Sequence, residues 1–335
     1  MTEILSTHTP ELFQQAVRRA VGLLCAGEVV ALPTETVYGL AANALDKEAV
    51  AKIFQIKGRP AHNPIIVHVS SNEMAQACVK KWTEFAEKFS KSFWPGPLTL
   101  VLPCAEKIPD NVTAGGETVG VRWPSHPLMQ AVIRECGFPL AAPSANLSNQ
   151  ISPTNAEHVR AQLAGKISLI VDGGQSQVGI ESTVLDLSVS PPRILRPGMI
   201  HAESLAAVGF PLSPIPYPIE GSALKSPGML AKHYSPQAKL LVLNWRDDVD
   251  LQAQLSAFNF QPATTRVIAH THIPAGLFGA ANVSVIPHDA EAFARAVYAE
   301  LHRCDAAGAK LIVVEAVPEL PEWSGIADRL RRAAA

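Results

Sequence analysis

Apolar residues follow two spacings along this chain, and the changes from one to the other mark out its elements. Over residues 10–26, Leu12, Phe13, Ala16, Val17, Ala20, Leu23 and Leu24 form one stripe at helical spacing, and Gly27 ends it. Residues 29–33 are continuously apolar, as in a short strand buried on both faces. A second helix is predicted over 46–56, capped by Asp46, with Val50, Ile53 and Phe54 turned inward. Strands are predicted at 65–69, 98–102, up to Arg122, from Leu140 onward and at 168–171, with a hairpin pair at 181–186 and 193–198. Helices are predicted at 71–93, stopping at Trp94-Pro-Gly-Pro, and at 126–136, stopped by Gly137; Thr154 and Glu157 form a capping box for a further one.

Residues 202–237 break this rhythm. Pro211, Pro214, Pro216, Pro218, Pro227 and Pro236 crowd a stretch with little periodicity, which reads as a stiff linker. Beyond it, strands at 239–243, 266–269, 283–286 and 311–314 alternate with helical stretches, notably 290–307 with Phe293, Ala296, Val297 and Leu301 facing in. That alternation predicts a small, mostly parallel α/β sheet. The last helix, 322–332, is read as carrying a basic, solvated face. A chain of 335 residues exceeds what one core usually sustains, so two domains are expected, 1–201 and 238–335, joined by 202–237.

Composition narrows the class. Hydrophobic residues make up 47% and charged residues 17%, as in a globular protein. The net charge of −2 argues against a nonspecific nucleic-acid binder, which needs a broad basic excess. No signal peptide and no membrane span are evident. The five cysteines are scattered without C-x-x-C, so a reducing cytoplasm is expected, with neither a disulfide frame nor a zinc site. His270-Thr-His272 lacks the partners of a known zinc motif, and no metal role is expected of it.

The chemistry gathers in loops. Lys57-Gly-Arg59-Pro places two cations on a rigid turn at a helix end, where Arg59 offers a planar fork and Lys57 a mobile point charge to an anion. Thr34-Glu-Thr36-Val-Tyr38 follows a buried strand, the place where ligands sit in open α/β sheets. His68 lies among apolar strand neighbours, close behind the cationic loop. Arg122 inside an apolar strand must snorkel outward or meet a ligand anion. Ser144 and Asn146 share a face if the chain stays extended, and the small residues around them admit a ligand. Ser152 stands before a helix N-terminus, a favourable place for phosphate oxygens, and Ser182 and Arg196 sit at the polar ends of the hairpin pair. Neither common phosphate-loop motif occurs, so any nucleotide must be held by separated loops. Residues 225–236, with Lys-His-Tyr-Ser-Pro ending a proline-stiffened tether, are expected to form a lid that excludes water.

Taken together, P-T-E-T-V-Y-G-L at 33–40, K-G-R-P-x-x-N-P at 57–64, P-S-A-N at 143–146, S-T-V at 182–184 and L-R-P-G at 195–198 resemble the threonylcarbamoyl-AMP synthase family, the YrdC-like proteins. H-Y-S-P at 233–236 before a second α/β domain resembles its longer members. The resemblance implies a twisted, mixed sheet with helices and a smaller, Rossmann-like C-terminal domain. It also implies that L-threonine, bicarbonate and ATP, with magnesium sharing the pyrophosphate charge, give threonylcarbamoyl-AMP. A separate transferase complex would carry the group to the adenosine beside the tRNA anticodon, with at most a weak tRNA contact here. By this resemblance Thr36, His68, Arg122, the backbone of Ala142 and Ser182 contact threonine. Arg59, Asn63, Thr118, Ser144, Ser152, Arg196 and Tyr234 contact the nucleotide, and Lys57 and Asn146 complete the catalytic set with Arg59 and Ser144. The alternatives are an RNA-binding module without chemistry and a carbamoyl-transferring hydrogenase-maturation protein; the latter would carry a zinc-finger motif that this sequence lacks.

Overall fold

A computed structural model describes residues 1–209, 211–213, 225–228, 232–258, 260–276 and 278–335. Much of the predicted linker, at 210, 214–224 and 229–231, lies outside these residues, and so does the middle of the expected lid. The chain forms two compact bodies: residues 1–148 with 152–229, and 149–151 with 230–335.

The first body is built on a mixed sheet, ten-stranded among the described residues. In chain order its strands are β1 (Glu3–Ser6), β2 (Val30–Leu32), β3 (Gly39–Asn43), β4 (Val67–His68), β5 (Leu98–Pro103), β6 (Thr118–Arg122), β7 (Leu140–Ala141), β8 (Leu169–Asp172), β9 (Thr183–Asp186) and β10 (Arg193–Arg196). Across the sheet they run β1-β8-β2-β3-β7-β4-β6-β5-β9-β10. Strands β4 and β6 pair in parallel, while β7 and β5, which flank them, run antiparallel. Successive strand residues point to opposite faces, and here both faces are apolar. Val30 and Leu32 pack with Val17, Leu24, Leu128 and Val132 of helices Pro10–Cys25 and Pro127–Cys136. Ala31, between them, joins Val50 and Ile53 of helix Lys47–Lys57 on the other side. This double cover explains why β2 reads as an unbroken apolar run.

The caps are local. Thr9, Asp46, Ser71 and Thr83 each accept a backbone N–H of the first turn they precede. Thr83 also explains a correction: the helix expected over 71–93 is two helices, Asn72–Ala77 and Glu84–Phe93, because a second cap starts a new helix. Between them Val79 bridges to Cys104. The strand expected at 65–69 is only Val67–His68, and the capping box at Thr154 is replaced by Asn155, whose side chain accepts from His158 N. Thr154 meets the His158 ring instead.

The second body carries strands β11 (Lys239–Leu243), β12 (Thr265–Ala269), β13 (Val283–Val285) and β14 (Leu311–Glu315), in the order β11-β14-β12-β13 and all parallel. Trp245, Leu251, Leu255, Val267 and Val313 form a core on one face. His233 and Tyr234 belong to this body: Tyr234 is 1% exposed, stacks on Tyr298 at 6.0 Å and lies under the Arg329 guanidinium. The last helix, Ser324–Ala333, contradicts its expected solvated basic face. Arg329 and Arg332 are buried on Asp328, at 2.9 and 3.0 Å, and of this trio of arginines only Arg331 is mainly exposed. These arginines hold the Asp328 carboxyl below its usual range although burial pushes it up. The apolar spacing had hidden a charge cluster whose burial demands pairing. Asp328→Ala should therefore lower the unfolding free energy by about 3 kcal/mol, read from urea denaturation, by leaving buried guanidiniums short of countercharge.

Candidate active site

Strand pairing sets the first part of the site. His68 on β4 and Arg122 on β6 stand directly opposite one another, so both project from one face, while Val67 and Val121 enter the apolar core. The Arg122 guanidinium reaches the loop after β2. Its Nη1 donates to Thr36 Oγ1 at 2.9 Å, its Nε to the Gly96 carbonyl at 3.3 Å, and its Nη2 lies 2.8 Å from Glu35 Oε1. The contact with Glu35 lacks hydrogen-bond alignment, so it is a coulombic pair, with the two side chains 5% and 8% exposed. The sequence allowed Arg122 either escape to solvent or a ligand anion; the structure supplies an internal partner, Glu35, that the sequence reading passed over. Its signal was its place between two singled-out threonines.

The loop itself is closed by one hydroxyl. Thr34 Oγ1 accepts from Thr36 N and Val37 N and donates to the Val37 carbonyl at 2.6 Å. Val178 N and Gly179 N donate to the carbonyls of Glu35 and Thr36, which ties residues 34–38 to the segment leading into β9. His68 is 4% exposed, and burial, aided by the Arg122 charge, pulls its pKa down to about 3. The ring is neutral at pH 7, and its Nδ1 has no hydrogen-bond partner.

Ser182 and Arg196 meet as well. Arg196 Nη2 donates to Ser182 Oγ and Nε to the Ser182 carbonyl, both at 3.1 Å, and Thr99 Oγ1 lies 2.8 Å from the same hydroxyl. Gly198 admits this turn: a Cβ there would sit 2.6 Å from Thr183 N. Ser152 Oγ donates to Glu181 Oε1 at 2.5 Å. Thr99 and Glu181 were not foreseen from sequence; neither lies in a motif with a recognisable spacing.

The cationic loop differs from its expected form. Gly58 takes the left-handed conformation at φ 59°, as its place at the helix end requires. Lys57, however, is not a mobile point charge. It is 3% exposed, and its Nζ donates to the carbonyls of Ser144, at 2.6 Å, and Asn146. Burial, with the Arg59 charge beside it, sets its pKa well below the ordinary lysine value. Lys57 thus clamps residues 144–146, which bend instead of staying extended. Backbone bonds from Leu40 N to the Pro143 carbonyl and from Ala145 N to the Tyr38 carbonyl fasten the same segment to β3 and its loop. Ala142 N is bound to the Ile66 carbonyl. Arg59 turns back on its own loop, donating to the Asn63 side chain at 2.8 Å and the Pro64 carbonyl at 2.6 Å, while Asn63 Nδ2 is buried without a partner.

Three groups result: Glu35-Thr36-His68-Arg122, Thr99-Ser182-Arg196, and Lys57-Ser144-Asn146 beside Arg59-Asn63. Thr118 stands apart at the start of β6, about 13 Å along the strand from Arg122. Tyr234 lies in the second body. Chemically, the three groups offer neutral and cationic donors in a dry setting, with no nucleophile set beside a base.

Two outcomes follow. Glu35→Ala leaves Arg122 buried without its anion and should cost about 3 kcal/mol of stability, measured by urea unfolding. Folding lowers the proton affinity of His68, so below its free value of 6.5 the unfolded chain binds more protons; its share of stability is lost as pH falls from 6.5 towards about 3. His68→Asn should flatten the urea midpoint across that range.

The chain resembles known proteins over its whole length. Residues 22–198 match a family model described as "Telomere recombination", and residues 200–335 match one described as "Threonylcarbamoyl-AMP synthase, C-terminal domain". Threonylcarbamoyl-AMP synthase of Pyrococcus abyssi is 41% identical over 320 residues, covering 95% of this chain and 93% of that one. The Bacillus subtilis enzyme of the same name is 41% identical over 340 residues, covering 100% and 96%. A crystal structure of the Pyrococcus abyssi protein complexed with L-threonine superposes with a TM-score of 0.89 at 38% identity, covering 100% of this chain and 97% of that one. With both halves matched and full-length relatives at this identity, the chain belongs to the threonylcarbamoyl-AMP synthase family.

Proposed function

We propose that this protein is an L-threonylcarbamoyladenylate synthase: it converts L-threonine, bicarbonate and ATP into L-threonylcarbamoyl-AMP, pyrophosphate and water. The observation that carries this reading is the convergence, through hydrogen bonds within one body, of segments far apart in sequence: residues 34–38, Lys57, Arg122, 142–146 and 178–179. The threonine amine attacks the carbon of bicarbonate and water leaves, giving an N-carboxylate; its oxygen then attacks the α-phosphorus while the bond to pyrophosphate breaks. Two anions must approach one another, so the protein's task is to position them and offset charge. Thr36, His68, Arg122, the Ala142 backbone and Ser182 are assigned to threonine. A neutral His68 suits this role, since it adds no further charge beside Arg122. Arg59, Asn63, Thr118, Ser144, Ser152 and Arg196 are assigned to the nucleotide, with Lys57 and Asn146 shaping the Ser144 loop. Magnesium enters on the triphosphate of the substrate. The product passes, in the cytoplasm, to a transferase complex that modifies tRNA. Among the described residues no helix is long and apolar enough to cross a membrane.

An RNA-binding role without chemistry is not favoured, because the net charge of −2 supplies no broad basic surface. Purified protein should release pyrophosphate only when threonine, bicarbonate and ATP are all present; release without threonine overturns the assignment. Arg59→Ala and Arg196→Ala, checked for folding by circular dichroism, should each lower that release roughly 10- to 150-fold, the worth of a charge-assisted hydrogen bond.

A further inference from the structure

The second body carries a cluster that the proposed reaction does not use. His270 follows β12, His288 stands shortly after β13, and Glu315 closes β14, so all three gather at the carboxyl ends of parallel strands. Such ends are where open α/β sheets hold ligands. His270 Nδ1 and His288 Nδ1 face one another at 2.8 Å, and Thr271 Oγ1 lies 2.8 Å from the first and 2.9 Å from the second. Three atoms with lone pairs thus form a nearly equilateral triangle.

His270 Nε2 lies 3.2 Å from the Ala316 carbonyl, which can only accept, so this nitrogen carries a hydrogen. In the tautomer with the hydrogen on Nε2 of each ring, both Nδ1 atoms turn lone pairs towards the triangle and the Thr271 hydroxyl oxygen adds its own. In that form two imidazole lone pairs stand 2.8 Å apart, and a cation over the triangle turns their repulsion into coordination.

We propose that His270 Nδ1, His288 Nδ1 and Thr271 Oγ1 form one face of a binding site for a divalent first-row transition-metal ion, completed by water. A cation at the usual metal–nitrogen distance of about 2.1 Å from each atom would see them at angles of about 84°, near the right angles of an octahedral face. Mixed imidazole and oxygen donors suit nickel, cobalt and zinc ions. The surroundings have the form of a metal site's outer layer. The Ala316 carbonyl orients the His270 ring, whose side chain is 3% exposed, and Phe293 and Trp323 wall it at 5.7 and 5.8 Å. Glu315 Oε2 lies 3.9 Å from His270 Nδ1 and adds negative potential. Its carboxyl stays below its usual range: burial pushes it up, but the backbone amides of His270, Thr271 and His272 and the His272 ring outweigh that. Among the described residues no three His, Cys, Asp or Glu side chains converge as a metal site; here the third donor is a hydroxyl, and affinity is correspondingly moderate. The pair is also not the His270 and His272 that sequence proximity suggests, since His272 bonds to Glu315 at 2.8 Å.

The test titrates the full chain with nickel chloride by calorimetry. Wild type should bind one ion per chain at a site that His288→Ala weakens at least about tenfold, the minimum cost of losing a supporting group, while His272→Ala leaves it unchanged. Paramagnetic nickel should also broaden the His270 and His288 ring signals first in the wild-type NMR spectrum, a readout that needs no variant. Equal binding by His288→Ala and wild type, or broadening spread evenly over the exposed histidines, overturns the proposal.

Discussion

Cations buried inside a folded chain must find oxygen atoms there, and this requirement organises the first body. Arg122, Arg196 and Lys57 are each no more than 4% exposed, and each reaches oxygens on a segment distant in sequence. An ion pair taken out of water gains little net stability, because desolvation offsets the attraction. What it does gain is a defined arrangement: the loop after β2 is held by Arg122, the turn before β9 by Arg196, and the bend after β7 by Lys57. The hydrophobic layers fix the sheet, and the cations decide how the loops above it converge.

Much of this was legible in the residues. The apolar stripe of Pro10–Cys25 and the unbroken run of β2 gave the right elements because both report burial directly. The parallel sheet of the second body followed from simple alternation of patterns. Motif order carried the family, and the hairpin that brings Arg196 to Ser182 was expected, though their pairing was not. Other features needed three dimensions. Nothing local distinguishes a lysine that solvent surrounds from one that caps two carbonyls 87 and 89 positions away. The partner of Arg122 was similarly hidden, since Glu35 lies on a turn whose direction only the fold determines. The break in the helix expected over 71–93 was present as Thr83, yet a threonine within an amphipathic stretch is ambiguous until its side chain is seen to cap.

The second body shows the same rule in another form. Asp328 gathers arginines inside the final helix, so a pattern that reads as a wet basic face is partly core. Tyr234, in the left-handed region at φ 62°, is held there by packing against Tyr298 and Arg329. A backbone shape that tyrosine rarely adopts is kept where its surroundings leave no alternative. The segment Asn149–Ile151 meets this one through an isolated bridge between Gln150 and Ser235. The second body thus includes a piece of chain bracketed by Ser148 and Ser152 of the first.

His68 Nδ1 and Asn63 Nδ2 are buried polar atoms left without partners. Each carries a penalty on the order of 1–3 kcal/mol that folding has already absorbed. A molecule that reaches them meets atoms with no hydration shell left to shed. A neighbouring side chain that satisfied either atom would make the chain sturdier. Variants selected only for heat resistance should therefore drift towards supplying partners for these two atoms.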